Sequence, residues 1–433
     1  MGDPTSIDRW AYTSFNRFLL RFWVTEERRG TMKTNETEVL TVGAGPAGLI
    51  AAREAAKKGA EVTVLEEHSE IGLPCHCAGL LSLKGLRDIG VSNLDPFVQN
   101  MVRGARFFSP SGLSFTVEKD VAIACVVDRR LFDKSLARQA TEAGARIKMS
   151  MKVCGLERVR GGVVVTGEQG SAGAKIVIDA EGASSGIVKS AGLKSLDSAC
   201  VLPGLQYDLT GVDVDPDFVE IHVGRRVAPR FFAWVIPLSE DSVRVGLASK
   251  GGAPKGKLDR FIEDRFGHEN DLERIAVRSG RVVTCGPIQK TFDDSLLVVG
   301  DAAGQVKPIT GGGAILGGIC ASIAGKVAAE AVEEEDFSGA FLQRYEDCWK
   351  ERLGQEFRMT LLARRTLNNL SDKAIDRIFG VIVEQDLPSL LSEEGDIDFQ
   401  TGVLRKVLKR KEVLSVLPSI LGALSPFRRR TKE

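Results

Sequence analysis

The hydrophobic pattern distinguishes three parts of the chain. Between residues 38 and 66, two apolar runs of strand length flank a segment whose apolar positions have helical spacing. This order predicts a strand, a helix and a second strand. From residue 201 to about residue 250, apolar and polar positions alternate, which predicts a separate, mostly antiparallel sheet. Residues 341–426 are predicted to be almost wholly helical. The patterns together predict an α/β protein with a C-terminal helical region.

A glycine-rich turn joins the first predicted strand to its helix. It has the sequence GAGPAG and contains Gly43, Gly45 and Gly48. In this context the first glycine makes the tight turn, the second lets a pyrophosphate approach the backbone, and the third lets helix and strand pack closely. The helix N-terminus offers free N–H groups to phosphates. Glu66, at the tip of the second strand, is placed to accept hydrogen bonds from a ribose. The segment therefore predicts a dinucleotide site.

Charge and cysteine usage exclude several classes of protein. The 58 Lys and Arg residues balance the 58 Asp and Glu residues, so no global positive field indicates a nucleic-acid partner. The eight cysteines are irregularly spaced, which favours a reduced, cytoplasmic compartment over a disulfide framework. Cys75-His76-Cys77 has no evident partner pair, so no metal is expected. No apolar run approaches the ~18–20 residues of a membrane span.

Both termini carry segments that could meet a membrane surface. Residues 1–37 combine aromatic side chains with arginines and are predicted to be a poorly ordered extension. A start at Met32 explains them, and an amphipathic anchor is the alternative. Residues 404–430 mix Leu, Val and Ile with many Lys and Arg. They are expected either to lie on an acidic membrane surface, at the inner face of the cell membrane, or to pack on the protein itself.

Four separated motifs resemble, in their order, those of the FAD enzymes built like p-hydroxybenzoate hydroxylase. They are the glycine turn with Glu66, Asp128-Arg129 at a helix start, residues 179–182 (DAEG) and residues 300–304 (GDAAG). The resemblance implies a Rossmann-like domain with FAD as the cofactor and places Asp301 on the ribityl chain. The third motif departs from the usual Asp-Gly because it has Glu181, which weakens any role of that turn in nicotinamide handling. The single dinucleotide motif fits permanently bound FAD.

Within that class the chain resembles the geranylgeranyl reductase family, particularly the archaeal digeranylgeranylglycerophospholipid reductases. Residues 74–82 (PCHCAGLLS) resemble the family's cysteine loop beside the flavin, with Cys77 at the matching position. Residues 300–313 (GDAAGQVKPITGGG) are close to the family pattern. Residues 232–237 (FAWVIP) resemble the family's Tyr-x-Trp-x-Phe-Pro motif, which lines the isoprenoid pocket, although Phe and Ile replace its Tyr and Phe.

The resemblance implies a set of site residues. The implied cofactor contacts are Gly43, Gly45, Ala47, Gly48, Glu66, Ala78, Gly79, Arg129, Val153, Asp301, Gly312, Gly313 and Ala314. The implied substrate contacts are Phe232, Trp234 and Pro237; the alternative for Trp234 is a place in the core of the second sheet. The segment that ends at Ala314 also precedes a helix, whose N–H groups can stabilise the negative edge of reduced flavin.

The implied reaction is hydrogenation of the double bonds of geranylgeranyl chains on archaeal-type glycerol ether phospholipids. Reduced flavin supplies hydride from N5, so a prenyl double bond must lie over the ring in a dry channel. The other alkene carbon needs a proton donor, for which the thiol of Cys77 is the candidate. Alternatively, Cys77 only accommodates the flavin. The electron donor stays open between NAD(P)H and a protein such as ferredoxin.

Two other flavoprotein functions compete with this interpretation. A flavin-dependent monooxygenase or halogenase is the first, because residues 232–237 partly match the halogenase signature W-x-W-x-I-P. An electron-transfer flavoprotein that passes electrons to a quinone is the second, although the C-terminal part has no multi-cysteine cluster for an iron–sulfur centre.

The same resemblance suggests how the chain is divided. Residues 38–190 and 275–335 are expected to form a discontinuous FAD-binding domain. Residues 191–274, with a contribution from residues 100–120, are expected to form the inserted, mostly antiparallel substrate-binding sheet. Residues 336–433 are expected to form the C-terminal helical region.

Overall fold

A computed structural model describes residues 37–267 and 272–408. The predicted extension lies outside these residues except for Thr37, and most of the basic C-terminal segment lies outside them as well. The strands are β1 (Thr37–Val42), β2 (Val62–Leu65), β3 (Leu80–Ser82), β4 (Val98–Val102), β5 (Gly104–Phe108), β6 (Ser114–Glu118), β7 (Ala124–Val127), β8 (Arg146–Lys148), β9 (Val153–Val159), β10 (Gly162–Gly167), β11 (Gly170–Asp179), β12 (Val201–Thr210), β13 (Phe218–Val223), β14 (Phe232–Pro237), β15 (Ser242–Ala248), β16 (Glu273–Val283), β17 (Phe292–Asp293) and β18 (Leu296–Val298). The helices are α1 (Pro46–Lys57), α2 (Leu83–Asp88), α3 (Arg129–Glu142), α4 (Gly186–Ser190), α5 (Lys255–Phe266), α6 (Ala314–Glu333), α7 (Gly339–Asn369), α8 (Asp372–Glu384), α9 (Leu387–Glu394) and α10 (Thr401–Leu408).

The first sheet is built around β1, which pairs in parallel with β2 on one side and β11 on the other. Its strand order is β17-β18-β11-β1-β2-β8, and β10 with β9 extends it from β11. At the carboxyl edge Val42 lies beside Leu65 and Asp179. This edge of a parallel sheet is where nucleotides bind in doubly wound folds, so the predicted glycine turn stands at the expected place.

Helix α1 is held against the sheet by α6. The two helices approach so closely that a Cβ atom on Gly325 would lie 2.2 Å from the carbonyl oxygen of Ala51, so the helices must separate to admit any side chain there. The interior of α1 is apolar, and Leu49, Ile50 and Ala52 are fully buried. The packing therefore fixes the helix whose N-terminus faces the predicted pyrophosphate.

The second sheet has the order β16-β12-β15-β14-β13-β5-β6. All its neighbouring strands are antiparallel except β13 and β5, which are parallel. It continues past the predicted boundary at residue 274, because β16 pairs with β12 as far as Val283. This edge strand exposes Ile275 and Val277, so it lacks the buried alternation from which a strand can be predicted. A third, small sheet has the order β3-β7-β4.

The C-terminal helices complete the molecule. Ser338 starts α7 by accepting a hydrogen bond from Phe341 N at 3.3 Å, and Ser371 starts α8 by accepting one from Ala374 N at 3.3 Å; both are N-caps. Helices α8 and α9 pack against β6 of the second sheet. The predicted fold class, a Rossmann-like α/β domain with a mostly antiparallel sheet and a C-terminal helical region, is confirmed.

Helix α6 has the length and apolar composition of a membrane span. Its 18-residue apolar window is 72% buried inside the protein, however, between the first sheet and α7. Burial of this extent is the ordinary state of a core helix in a folded domain. Among the described residues no other helix meets the same criteria.

Candidate functional site

A large cavity of about 1660 Å³ is lined by both main sheets and by the C-terminal helices. Typical single-ligand pockets measure roughly 300–1,000 Å³, so this one has room for more than one ligand. It extends from the glycine turn after β1, past residues 72–82, to the ends of α7 and α8. Its dinucleotide end lies at the glycine turn.

The glycine turn opens on the cavity in the way that a pyrophosphate requires. Gly43 has a positive φ of 97°, and a Cβ atom there would lie 2.5 Å from the carbonyl oxygen of Ala180. A Cβ atom on Gly48 would lie 1.9 Å from the carbonyl oxygen of Gly43, so this glycine packs behind the turn and does not line the cavity. Gly45 has open space around it, and no side chain caps the N-terminus of α1. The first N–H groups of α1 are thus free for an anion.

Glu66 holds the turn from the end of β2. Its Oε2 accepts a hydrogen bond from Ala44 N at 2.7 Å, and its Oε1 accepts one from His68 N at 3.0 Å. The side chain lies on the cavity wall. Glu66 therefore orders the turn by itself, and its predicted contact with a ribose stays a prediction.

The segment that leads into α6 is a second place where free backbone N–H groups can bind an anion. A Cβ atom on Gly313 would lie 2.4 Å from Asp301 Oδ1, and one on Gly312 would lie 2.9 Å from Lys307 Cε. No side chain caps the N-terminus of α6 at Ala314. Burial raises the pKa of Asp301 to about 6, although Arg129 opposes this shift. Among the described residues no group donates a hydrogen bond to its carboxylate, which is therefore available to a ligand hydroxyl.

Arg129 connects this end of the cavity to the cysteine loop. It is the first residue of α3, and its guanidinium makes a bidentate pair with Asp133 (Nε to Oδ1 3.1 Å and Nη2 to Oδ2 3.1 Å). Burial opposes the charge on Arg129, but Asp133 and then Cys77 outweigh burial and hold the pKa of Arg129 above its usual value. Arg129 therefore keeps its positive charge, and it lines the same cavity as Cys77.

Glu181 has a structural role that explains its departure from the expected motif. Its carboxylate accepts hydrogen bonds from Gly186 N at 2.9 Å and Ile187 N at 2.8 Å, and so caps the start of α4. Asp179, two residues earlier, is fully buried, and burial followed by the charge of Glu181 raises its pKa well above the usual value. We therefore expect Asp179 to be a neutral acid that supports the turn.

The cysteine loop is fastened to the second sheet. Gly79 N donates to Cys77 Sγ at 3.3 Å, Gln206 Nε2 donates to the Cys77 carbonyl oxygen at 2.9 Å, and Arg244 Nη1 donates to Ala78 O at 2.9 Å. Gln206 belongs to β12 and Arg244 to β15. The half-buried Cys77 thiol on the cavity wall is therefore held in position both by a hydrogen bond within the loop and by hydrogen bonds from the second sheet to the loop backbone.

Asp208 in turn holds the arginine that holds the loop. Its carboxylate makes a bidentate pair with Arg244 (Nε to Oδ1 2.9 Å, Nη2 to Oδ2 3.1 Å) and an ion pair with Arg278. Burial favours the neutral acid, but Arg244 and Arg278 outweigh it and hold the pKa of Asp208 below its usual value. Asp208, Arg244 and Gln206 were missed from the sequence. Each is a polar residue at an inward position of an otherwise apolar strand, and this pattern could have identified them.

Aromatic side chains of β14 line the next part of the cavity. Phe231 and Phe232 stack with ring centroids 4.2 Å apart, and Trp234 meets Phe232 edge to face at 6.1 Å. Phe232 and Trp234 line the cavity as predicted, and Trp234 is also part of a hydrophobic core cluster. Pro237 does not line it. Alternation along the strand places Ile236 on the cavity face and the following proline on the opposite face, so the assignment of Pro237 is corrected.

The C-terminal helices cover the apolar part of the cavity. Phe379 of α8 lies 5.1 Å from Phe115 of β6, which stacks on Phe107 of β5 at 5.0 Å. Ile375 and Ile378 line the same section. The sequence predicted a helical region here but gave it no part in the site, because helical periodicity does not show which surface a helix will cover.

A buried lysine connects this cover to the glycine segment before α6. Lys307 Nζ donates to Asp398 Oδ1 at 2.8 Å and to Ile397 O at 3.1 Å, and Asp398 also accepts a hydrogen bond from Ser82. Lys307 also shapes its own segment, because its backbone N–H donates to Gly312 O at 3.0 Å. The C-terminal segment is therefore tied to the predicted cofactor loop.

The structure brings almost all the predicted site residues to this one cavity. The predicted cofactor contacts that line it are Gly43, Gly45, Ala47, Glu66, Ala78, Gly79, Arg129, Val153, Asp301, Gly312, Gly313 and Ala314. Their contacts with a cofactor stay predictions. Within residues 37–267 and 272–408, no group of three or more His, Cys, Asp or Glu side chains is arranged to hold a metal ion.

Comparison with known proteins assigns the fold and the family. Residues 36–334 match the model of the FAD binding domain family. A digeranylgeranylglycerophospholipid reductase from Methanothermobacter thermautotrophicus is 38% identical over 365 residues, which cover 82% of this chain and 93% of that protein. A second, from Methanopyrus kandleri, is 36% identical over 88% of this chain and 98% of that protein. The chain belongs to the geranylgeranyl reductase family.

Solved structures agree with this assignment. The crystal structure of a geranylgeranyl bacteriochlorophyll reductase-like protein from Thermoplasma acidophilum has a TM-score of 0.80 and 30% identity, and covers 90% of this chain and 100% of its own. A mutant of the flavin-dependent brominase Bmp2 has a TM-score of 0.65 but only 19% identity over 86% of this chain and 99% of its own. The second likeness shows the fold alone, and the halogenase alternative is not favoured.

FAD is the cofactor of this family member, which is an FAD-dependent oxidoreductase. The residues present fit it. Two helix N-termini without side-chain caps, the open space at Gly45 and the unpaired carboxylate of Asp301 all face the same cavity. They offer N–H donors to phosphates and an acceptor to ribityl hydroxyls.

We predict that Asp208→Asn loosens the cysteine loop. The change leaves two arginines facing each other without their carboxylate. Removing one partner of a buried pair costs about 3–5 kcal/mol, and we expect about 3 kcal/mol because Arg278 is partly exposed and can be solvated. The free energy of unfolding in urea measures the loss, and the rate of Cys77 modification by a thiol reagent should rise.

Asp217→Asn is the matched control, because its carboxylate pairs with Arg103 at 2.9 Å in a much more exposed setting, with side chains that are 52% and 35% exposed. Exposed pairs contribute about 0–1 kcal/mol. Equal stability and equal thiol reactivity in the two variants would show that Asp208 does not hold the loop.

Proposed function

We propose that this protein hydrogenates the double bonds of geranylgeranyl chains carried by archaeal-type glycerol ether phospholipids. One observation supports the assignment above the others. The dinucleotide end of the cavity continues without a break into an apolar section walled by Trp234, Phe115 and Phe379. A flavin and a long prenyl chain can therefore share one enclosed space. The names of the relatives describe the same reaction, because they are digeranylgeranylglycerophospholipid reductases.

The residues of the chain divide the work of this reaction. FAD, when bound and reduced by the electron donor, would supply the hydride that reduces an alkene. The aromatic and aliphatic walls exclude water and hold the prenyl chain by burial of apolar surface. The Cys77 thiol is proposed to hold the proton that the second alkene carbon takes up. Arg129 lines the same cavity and keeps its positive charge beside this loop; a solvent proton then restores the thiol.

The direct test of the function is mass spectrometry of lipids. Purified enzyme, reduced with dithionite under anaerobic conditions, should add two mass units for each double bond of a geranylgeranyl diether phospholipid. Wild-type enzyme without a reductant is the control. An unchanged lipid mass would contradict the proposal. In a parallel aerobic reaction, oxygen consumption with insertion of an oxygen atom into the lipid would return the monooxygenase alternative.

The role of Cys77 is tested by Cys77→Ser. The change replaces one side-chain atom, so FAD content and fold should be kept, while turnover falls by about 100- to 10,000-fold because an alcohol is a far weaker acid than a thiol. Steady-state turnover of the dithionite-reduced enzyme measures the effect.

Cys75→Ser controls for loss of a thiol from the same loop. Burial raises the pKa of Cys75, which disfavours loss of its proton, and its replacement should cost much less. A Cys77→Ser enzyme with near-normal turnover and full FAD would leave the loop with a purely structural role and assign the proton to water.

The electron donor is proposed to be NAD(P)H or a ferredoxin-type protein. Anaerobic mixing of the oxidised enzyme with each donor, followed by flavin absorbance, decides between them.

Peripheral membrane association is proposed on the composition of residues 404–433, most of which lie outside the described part of the chain. Deleting them should weaken binding to anionic vesicles, and more at low salt than at high salt, because exposed charges are screened by ions. Replacing Arg428, Arg429 and Arg430 by Gln keeps the length and the apolar residues, and should reduce only the salt-dependent part of the binding. Equal vesicle binding by all three proteins would contradict the proposal.

A further inference from the structure

A cluster of cations lines the cavity where α7 meets the loop between β13 and β14. The loop contributes Arg225 and Arg230, and α7 contributes Arg364 and Asn368. Two of these arginines fasten the loop to the helix: Arg225 Nη2 donates to Leu370 O at 2.9 Å, and Arg364 Nη2 donates to the Arg230 carbonyl oxygen. Arg225 and Arg364 are therefore part of the ordered wall, whereas the side chain of Arg230 is exposed.

Arg364 is unusual among these residues because it is buried and incompletely paired. The side chain is only 5% exposed, and its Nε has no hydrogen-bond partner among the described residues. Asn368, one helical turn further on, also has a buried amide oxygen without a partner. Buried donors are almost always paired, so the unpaired Nε of Arg364, beside a cavity, points to a ligand that accepts hydrogen bonds. The Asn368 oxygen is itself an acceptor and does not pair with an anion.

The electrostatics point to an anion. No Asp or Glu of the described residues pairs with Arg364 or Arg230. Burial and the nearby charge of Arg230 lower the pKa of Arg364 to about 10, so Arg364 keeps its positive charge at neutral pH. Its guanidinium lies 4.8 Å from the Phe231 ring centroid. A cation–π contact offsets part of the burial cost, but a buried cation beside a second one still lacks a counter-ion.

The surroundings restrict what the anion is. Phe231, under Arg364, stacks on Phe232, which in turn meets Trp234, so the cations border directly on the apolar section. A ligand that fills both must be an amphiphile with an anionic end. Guanidinium groups match the oxygen geometry of phosphate in bidentate fashion.

We infer that Arg364, supported by Arg230, binds the phosphate ester of the lipid while the prenyl chains occupy the neighbouring apolar section. This inference rests on the proposed function and deepens it, because it names the residues that select a phospholipid over a phosphate-free prenyl lipid. Arg364 is a binding residue in this assignment and takes no part in proton transfer.

The test compares two substrates that differ only in the phosphate, digeranylgeranylglyceryl phosphate and digeranylgeranylglycerol, with dithionite as the reductant. Arg364→Gln should raise KM for the phosphate ester by roughly 10- to 100-fold, the range for a lost charge-assisted contact, and leave kcat and the phosphate-free KM unchanged. Titration with saturated diphytanylglyceryl phosphate in micelles should show the same loss of affinity without any turnover.

Three further variants make the result specific. Arg364→Lys keeps the charge but not the fork and should lose less affinity than Arg364→Gln. Arg365→Gln removes an exposed charge from the same helix, outside the cavity, and should behave as wild type. Arg230→Gln, at an exposed position, should also weaken binding of the phosphate ester. It provides the test if Arg364→Gln does not fold.

Several outcomes would overturn the inference. Equal KM changes for the two lipids would mean that the cluster shapes the cavity or acts on the cofactor. A change confined to reactions with NADPH, absent with dithionite, would assign the phosphate to the nucleotide donor. Failure of the wild-type enzyme to reduce either lipid would sink the proposed function instead, and the micelle titration would still decide whether Arg364 binds the phosphate.

Discussion

The carboxylate of Asp208 is the point on which the arrangement of the site depends. It lies between Arg244 and Arg278, and Arg244 donates a hydrogen bond to the carbonyl oxygen of Ala78. Through this pair and the hydrogen bond from Gln206 to the Cys77 carbonyl oxygen, the second sheet determines where the loop after β2 places its cysteine. A buried ion pair is poor evidence for stability, since desolvation offsets its attraction. Its value here is geometric, because the pair fixes one position of the loop.

That geometry explains why the two large sheets cannot be treated as separate units. The cavity needs a glycine turn from β1, a cysteine loop after β2, and a wall from β14. These elements are brought together by close contacts that admit no side chain, as at Gly79, where a Cβ atom would lie 2.6 Å from Val127 O and 2.9 Å from Arg244 Nη1. A small shift of either sheet would be felt at the thiol. The buried polar residues of β12 and β15 thus serve alignment more than stability.

Local rules predicted the parts of the structure that are built locally. The glycine turn, the strands on either side of it and the alternation of β14 follow from steric limits and side-chain period, which act over a few residues. The misassignment of Pro237 came from reading a motif without applying that same period. What could not be predicted is long-range. Nothing in the sequence around Phe379 shows that it will meet Phe115, or that Asp398 will meet Lys307, because such contacts depend on how complete elements pack.

A fixed loop and a fixed anion site would together impose a constraint on the lipid. Cys77 is held by bonds to the backbone, so the reacting position in the cavity does not move. If the phosphate is held at Arg364, the distance between these two points is also constant, and a chain with several double bonds can present each of them only by folding differently between the two ends. The cavity permits this, since its volume of about 1660 Å³ exceeds that of a tight single-ligand pocket. Its aromatic and aliphatic walls make no directional contacts that would select one fold of the chain. The walls would then bind the prenyl chain without fixing which double bond lies at the reacting position. Selection among the double bonds would come from the strain of the chain between its two fixed points.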